Sequence, residues 1–168
     1  AKMVVVDIDH PDIEEFINWK VIEERKVAAL VTGSKICHQR LQEISKAINN
    51  ATELGEDRFN AKANKKLKLA VAQAKKDQVP MNYVHRVIEL AKQGVVEFEF
   101  ETYDTDWNSE AYNTVSGQNS NNSVRIPNRF FDALKEDKDW ELINRTDKKV
   151  SKTLKAKELW RQINEAAW

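Results

Sequence analysis

The start of the chain constrains the fold most, because an unbroken apolar run there meets a helix-start signal. Residues 3–8, Met-Val-Val-Val-Asp-Ile, are nearly all apolar, and such a run is typical of a strand covered on both faces, as in a parallel sheet. Residues 9–12, Asp-His-Pro-Asp, follow; proline at a first helical position with acidic neighbours favours a helix. Ile13, Phe16 and Ile17 continue it at helical spacing. The sequence therefore predicts a strand that runs into a helix ending near Leu30.

The middle of the chain, residues 24–107, is predicted to be a mostly helical insertion. Thr32-Gly33-Ser34 should break the first helix, with Ser34 as the N-cap of the next. Further helices are predicted over residues 61–77, which carry six lysines, and from Pro80 to Gly94. Residues 96–101 alternate Val or Phe with Glu, which predicts that the insertion ends in an acidic strand with one wet face.

Residues 108–168 return to mixed strand and helix. A loop rich in Asn, Ser and Gly is followed by a predicted strand over 123–126, and Pro127 begins a helix. A hairpin over 140–154 and a terminal amphipathic helix complete this part. Together with residues 1–23 it gives an α/β framework whose two flanks meet in space.

Composition excludes several classes of protein. The 168 residues carry 27 basic and 27 acidic side chains, so no global field points to nucleic acid or to a membrane surface. No window approaches about 18 consecutive apolar residues, and no signal peptide opens the chain. A single cysteine, Cys37, excludes an internal disulfide framework and favours a reducing, cytoplasmic setting. A first residue other than Met and an end within a predicted helix indicate a section of a longer polypeptide.

The residue types that carry chemistry are sparse. Cys37 lies on a predicted apolar helix face, where a small buried side chain is the favoured interpretation. His10, His38 and His85 lack metal-ligand spacing, and no phosphate-binding or nucleophile motif is present. We therefore assign no catalytic residue and no metal ligand from the residues themselves.

One stretch has more polar chemistry than a connector needs. We name Ser116–Asn121, Ser-Gly-Gln-Asn-Ser-Asn, the polar segment. Its amide and hydroxyl groups are donors and acceptors that could recognise a base edge, and Gly117 would give the backbone freedom to switch. The alternative is a polar connector without further function, and composition alone gives the two similar weight.

Two motifs in this order resemble the catalytic chain of ribonucleotide reductases. Residues 2–17 contain the strand followed by D-H-P-D-I-E-E-F-I, and residues 121–125, N-N-S-V-R, with Phe130-Phe131-Asp132-Ala133 resemble the family's N-x-S-V strand and helix. The tail over 140–160 is similar to the stretch before the family's active-site loop. The long spacer is most similar to bacterial class II, adenosylcobalamin-dependent enzymes, and the resemblance covers essentially the whole chain.

The resemblance implies a ten-stranded α/β barrel in which a cysteine thiyl radical reduces ribonucleotides to deoxyribonucleotides for DNA synthesis. Adenosylcobalamin would generate the radical in the parent enzyme, and a cysteine pair would supply the electrons. The family's redox and radical cysteines correspond to positions before Ala1 and beyond Trp168, and Cys37 matches neither. The chain is then an internal segment, inert by itself, whose partner is the remainder of the catalytic chain.

The resemblance also implies a regulatory role for the polar segment. In the family, a loop relays the effector bound at a homodimer interface, a deoxynucleoside triphosphate or ATP, to the substrate base. Ser116, Gly117, Gln118, Asn119, Ser120 and Asn121 are aligned with that loop. Arg125, on the strand that follows, is a candidate phosphate contact or a surface ion pair.

Two rival hypotheses belong to other classes. The chain could be a non-catalytic interaction module with a vestigial reductase likeness, which should then exist as a free-standing product. It could also be a nucleic-acid adaptor that uses Lys62–Lys76, but the neutral net charge makes this the weakest hypothesis.

Overall fold

A computed structural model describes residues 2–167, which divide into two compact units. The strand unit consists of the residues up to Lys26 and those from Thr114 onward, and the helical unit is Val27–Asn113. The predicted insertion, residues 24–107, differs from the helical unit by a few residues at each end. The elements in chain order are β1 (Lys2–Asp7), α1 (Ile13–Asn49), 3-10 turns (Thr52–Phe59), α2 (Lys65–Lys76), α3 (Met81–Lys92), α4 (Glu110–Asn113), β2 (Ser120–Arg125), α5 (Asn128–Lys135), β3 (Asp139–Ile143), β4 (Val150–Lys155) and α6 (Ala156–Ala167).

The strand unit is built on a parallel pair formed by strands from the two flanks of the chain. β1 pairs with β2 in a register that runs from Lys2 opposite Ser120 to Asp7 opposite Arg125. β3 and β4 form a separate antiparallel pair. The predicted strand, helix, hairpin and terminal helix of the second flank are confirmed, although β2 begins three residues earlier than predicted.

Aromatic and aliphatic side chains hold the strand unit together. Ile8, Phe130, Leu142 and Leu159 are fully buried. The Trp140 ring meets Phe130 edge-on, with centroids 5.0 Å apart, and the Trp140 indole N–H donates to the Ile8 carbonyl at 3.2 Å. The hairpin is therefore attached to the chain that leaves β1 by both packing and a buried hydrogen bond.

The first helix is much longer than predicted. α1 runs unbroken through Thr32, Gly33 and Ser34, so the prediction of a helix break with Ser34 as an N-cap is wrong. The Ser34 hydroxyl instead donates to the Val31 carbonyl at 2.8 Å and accepts from the Tyr103 amide at 3.0 Å. A glycine within a helix costs only about 1 kcal/mol relative to alanine. The free energy gained by burying the flanking turns of α1 outweighs this cost.

The helical unit has its own core. Buried side chains of α1, α2 and α3 meet there, among them Leu41, Ile44, Leu67, Val84 and Val87. Asn64 is buried and precedes α2; its amide oxygen accepts from the Leu67 N–H at 3.0 Å. Its amide nitrogen donates to the carbonyls of Ala47 and Arg58, at 3.0 and 2.9 Å. This one side chain caps α2 and joins it to the end of α1.

The predicted acidic strand does not form. Residues 95–106 belong to no strand or helix in the part of the chain that the structure describes. The alternation is nevertheless real, because Phe98 and Phe100 pack against the helical core. Helix side chains hold this backbone: Ser45 donates to the Val96 carbonyl at 3.0 Å, and a His38 ring nitrogen lies 3.0 Å from the Phe100 carbonyl. Alternation of apolar and polar residues with a period of two predicts an extended backbone. A β-strand also requires a neighbouring strand with which to pair.

The sheets of this chain are open. Within residues 2–167 there are two separate two-stranded sheets and no closed barrel. Met3 and Val5 on β1 are 69% and 53% exposed, although their sequence is typical of a strand covered on both faces. None of the helices described here contains an apolar stretch long enough to cross a membrane.

We predict that Asn64→Ala destabilises the start of α2 by about 2 kcal/mol, because it removes the cap and leaves two carbonyls without their donor. Hydrogen exchange of the α2 amides measures this local free energy. Asn82→Ala, at an exposed position of α3, is the matched control and should change exchange little. Equal exchange in both variants would contradict the assigned role of Asn64.

Candidate functional site

The polar segment lies where the chain passes from α4 into β2. Ser116 lies in a bend, and Gln118 and Asn119 form a turn closed by the hydrogen bond from the Ser120 N–H to the Gly117 carbonyl; residues 116–119 are called the turn below. Ser120 and Asn121 were expected in the loop but belong to β2, because they pair with Lys2 and Met3 of β1. The Lys2 amide also donates to the Asn119 carbonyl at 3.0 Å, so the turn lies beside the point where the chain enters β1.

Two charged side chains of α1 contact the backbone of this turn. The Glu23 carboxylate accepts the Ser116 N–H at 3.2 Å. The Lys20 ammonium donates to the carbonyls of Gly117 and, at 3.3 Å, of Gln118. The turn is therefore held by an acceptor and a donor from the same face of one helix.

Glu23 keeps its charge in this setting. It is only 5% exposed, yet Lys26 lies 2.7 Å from its carboxylate. The hydrogen bond from Lys26 and then the one from the Ser116 amide lower the pKa of Glu23. At neutral pH the carboxylate is thus ionised and accepts the backbone N–H as a charge-assisted hydrogen bond.

The Trp19 ring covers the tightest point of the turn. Gly117 has φ of +72°, and a Cβ placed there would lie 3.2 and 3.3 Å from two Trp19 ring atoms. The Trp19 indole N–H also points to the Ser116 hydroxyl, 3.4 Å away. Two features require glycine at position 117: the left-handed backbone conformation and the close approach of the Trp19 ring.

The amide side chains of this region are not all satisfied. Gln118 Nε2 and Asn122 Nδ2 are buried and have no hydrogen-bond partner among the described residues. The Asn122 amide oxygen accepts from the Ser120 hydroxyl at 3.0 Å, while Asn119 and Asn121 are exposed. Buried amide groups normally find partners, so each of these two nitrogens is a donor that the described residues leave unused.

Arg125 lies at the other end of β2. A strand advances about 3.3 Å per residue, so five steps place Arg125 some 17 Å from Ser120 along the strand. Its guanidinium makes two bonds to the Asp7 carboxylate, one of them at 2.8 Å. Arg125 is therefore distant from the turn, and it forms the surface ion pair with Asp7. A contact between Arg125 and phosphate stays a prediction.

The Arg125 pair belongs to a wider charge network beside the carboxyl ends of β1 and β2. The hydrogen bond from Arg125 lowers the pKa of Asp7. Asp9 accepts from Arg145 and, at 3.1 Å, from Arg129. An open cavity of about 340 Å³ lies against these strand ends. Each of these arginines already has a carboxylate partner. The network is therefore explained as a set of ion pairs that connects β1, β2 and the hairpin.

The remaining sequence candidates stay outside this region. Cys37 is half-buried against the helical core, and burial raises the pKa of its thiol, which disfavours the reactive thiolate. Within residues 2–167 no three His, Cys, Asp or Glu side chains are grouped so as to hold a metal ion.

Sequence reasoning missed the three helix residues that hold the turn. A signal was present, because Lys20 and Glu23 continue the apolar positions Ile13, Phe16 and Val27 at steps of three and four residues. Charged side chains on a face that is otherwise buried require partners. In this structure those partners are backbone groups more than 90 residues away in sequence.

Comparison with known proteins gives a consistent result along the whole chain. The family model "Ribonucleotide reductase, barrel domain" matches residues 1–168. Proteins named vitamin B12-dependent ribonucleotide reductase are similar over all 168 residues: 58% identity in Agrobacterium fabrum, 56% in Bradyrhizobium diazoefficiens and 26% in Streptomyces avermitilis. The chain spans 13% of the length of the first two and 10% of the third.

We predict that Gly117→Ala destabilises the turn by about 1–2 kcal/mol from the left-handed backbone alone, with a further cost from the Trp19 contact. Hydrogen exchange of the Ser120 amide, which donates to the Gly117 carbonyl, reports the change. In a Trp19→Leu background the added cost of Gly117→Ala should be smaller. Gly33→Ala, with open space around the new methyl group, is the control and should be neutral or stabilising. An unchanged turn in Gly117→Ala would contradict the argument.

Proposed function

The chain belongs to the ribonucleotide reductase barrel-domain family, and from this we propose that it is an internal segment of a vitamin B12-dependent ribonucleotide reductase. The observation that carries the proposal is identity of 56–58% over all 168 residues with two proteins of that name. The parent protein would convert ribonucleotides to deoxyribonucleotides by thiyl-radical chemistry, in the cytoplasm.

The exposed side chains of β1 support the proposal that this chain is one part of a larger barrel. Parallel sheets are normally covered on both faces, and an isolated two-stranded sheet is marginally stable at best. Met3 and Val5 are exposed here, and their cover would come from the remainder of the catalytic chain. That remainder is accordingly the first partner that we propose.

The catalytic thiols would also lie in the remainder. The one cysteine of this chain, Cys37, packs against the helical core with a raised pKa. It can supply neither a cysteine pair nor an accessible radical thiol. The segment would thus form part of the wall of the reaction chamber without contributing the reacting sulfur atoms.

This segment does not by itself fit a corrin. Cofactor sites are concave and bury most of the ligand surface. An apolar cavity of the strand unit, about 540 Å³, is an open groove lined by Asp12 and by four residues of helix α1: Glu15, Phe16, Trp19 and Ile22. One helix face cannot enclose a tetrapyrrole-sized ring, so among the described residues we assign no cobalamin ligand and derive no step through the cofactor.

For the polar segment we propose the relay between effector and substrate specificity. Its support is chemical: Asn119 and Asn121 are exposed, and Gln118 has a buried amide nitrogen without a partner in the described chain. Such amides can donate and accept on a base edge. The effector would be a deoxynucleoside triphosphate or ATP at the interface of a parent homodimer. Arg125 would contribute to phosphate binding only by exchanging its Asp7 partner.

We predict that the isolated 168-residue chain does not reduce ribonucleotides, because the radical and redox cysteines are outside it. The assay would contain the pure chain, a dithiol reductant, adenosylcobalamin and each of the four ribonucleotides, as diphosphates and as triphosphates. The full-length protein in the same assay is the positive control and should form deoxyribonucleotides. Turnover by the isolated chain would refute this assignment, and an inactive full-length protein would refute the proposed activity.

We predict that Gln118→Ala in the full-length protein changes the effector-dependent preference among the four substrates by about three- to tenfold, the effect of one lost hydrogen bond. The measurement is the ratio of kcat/KM values for substrate pairs, with and without each effector. Gln39→Ala, at an exposed position of α1, is the matched control. Identical effector responses in Gln118→Ala and the unmodified protein would refute the role of the polar segment.

A further inference from the structure

We propose that the helical unit binds the helical unit of a second copy of this chain, with the lysine surface of one copy against the acidic segment of the other. The lysine surface consists of six exposed lysines in and just before α2: Lys62, Lys65, Lys66, Lys68, Lys75 and Lys76. The acidic segment, residues 97–110, contains six acids and no base: Glu97, Glu99, Glu101, Asp104, Asp106 and Glu110. The inference goes beyond the proposed function and does not depend on the polar segment.

The lysine surface has an apolar side chain among its charges. Residues 62–76 contain no acid, and α2 buries Leu67 in the helical core. Leu69 is instead 72% exposed. Lys65 and Lys66 precede it by four and three residues, so they are its neighbours on the helix surface. An apolar centre with a charged rim is the arrangement found in protein interfaces.

The acidic segment has the same arrangement with the opposite charge. Phe98 and Phe100 pack against the helical core, and the three glutamates that alternate with them are exposed. Trp107, which follows Asp106, is 79% exposed. Tryptophan is enriched among the residues that dominate interface energies. The segment therefore combines charge of one sign with an exposed aromatic anchor.

The helical unit does not neutralise either set of charges itself. Within residues 27–113, Arg40 pairs with Glu43 and Asp77. Lys92 pairs with Glu89. No ion pair in this range involves the lysine surface or the acidic segment, so both present their charges to solvent.

A second copy is the occupant that accounts for both surfaces. A basic partner would cover only the acidic segment, and a polyanion would cover only the lysine surface. Two copies related by a two-fold axis place each lysine surface against the acidic segment of the other copy, so the contact forms twice in one closed pair. The chain carries 27 basic and 27 acidic side chains, and a net charge of zero gives no overall repulsion between copies.

The test measures self-association of the full-length protein by sedimentation velocity over a range of concentrations, at about 50 and about 500 mM salt. The first variant reverses charges of the lysine surface: Lys65→Glu, Lys66→Glu and Lys68→Glu. The second reverses charges of the acidic segment: Glu97→Lys, Glu99→Lys and Glu101→Lys. Acidic side chains are favourable at the start of a helix, so the first variant should keep α2 folded.

The matched control makes the same change of net charge as the first variant at three other exposed lysines: Lys35→Glu, Lys148→Glu and Lys149→Glu. All these variants leave any other interface of the parent protein unchanged, including that of the proposed homodimer. The difference between them and the unmodified protein therefore isolates the contact between helical units.

We expect the unmodified protein to associate at low salt and to do so about tenfold or more weakly at high salt, because exposed ion pairs are screened. Each charge-reversed variant alone should also lose about tenfold or more in affinity, since like charges would face each other. An equimolar mixture of the two should restore association, because each reversed surface meets its complement in the other chain. Trp107→Ala should weaken association by about tenfold at both salt concentrations.

Three results would overturn the proposal. The unmodified protein could keep the mass of its smallest species at every concentration and at both salt concentrations. The control could lose as much affinity as the first variant, which would make the effect one of net charge. The mixture could associate no better than either variant alone, and the two surfaces would then have separate occupants, such as the remainder of the catalytic chain.

Discussion

The parallel pairing of β1 with β2 is the interaction on which the strand unit depends. It joins residues separated by more than a hundred positions, with Lys2 opposite Ser120 and Asp7 opposite Arg125. Parallel strands need a long crossover, and the helical unit occupies that crossover. Loop-closure entropy grows only slowly with length, so an insertion of this size is tolerable when it has a core of its own. The buried cluster of α1, α2 and α3 provides that core.

The register of this pairing also places the chemistry at opposite strand ends. At the amino ends, Ser120 beside Lys2 brings the turn of the polar segment to the chain entering β1. At the carboxyl ends, Asp7 and Asp9 meet Arg125, Arg129 and Arg145. A slip of one residue would exchange the faces of β2 and disrupt both groups. The pairing thus determines which polar residues can act together, and it excludes Arg125 from the turn.

Much of the fold could be predicted because local patterns and tertiary packing agree. The strand and helix at residues 3–17, the helices after Pro80 and Pro127 and the hairpin all carry their own signals. The errors arise where packing overrides a local signal. Gly33 stays helical because the helical turns on both sides of it are packed. The alternating residues 96–101 pack against helices, whereas a β-strand would need another strand beside it. Ser120 and Asn121 look like loop residues until β1 is placed beside them.

The site was predictable in part, and the missing part has a physical reason. The amide-rich composition of the polar segment is visible in the sequence, and so is the flexibility of Gly117. What holds the turn is not visible, because Lys20 and Glu23 contact backbone groups, which leave no trace in the residue types of the turn. Their only signal is two charges on an otherwise apolar helix face.

A turn held through its backbone can keep its conformation while its side chains change partners. If the side chains of the turn alone fixed it, every change of their partners would also disturb its conformation. Here Glu23 and Lys20 bond to peptide groups, and Trp19 lies against a glycine. The Gln118 amide can then change partners without unfolding the turn. The unsatisfied nitrogens of Gln118 and of Asn122 in β2 favour any state that supplies an acceptor.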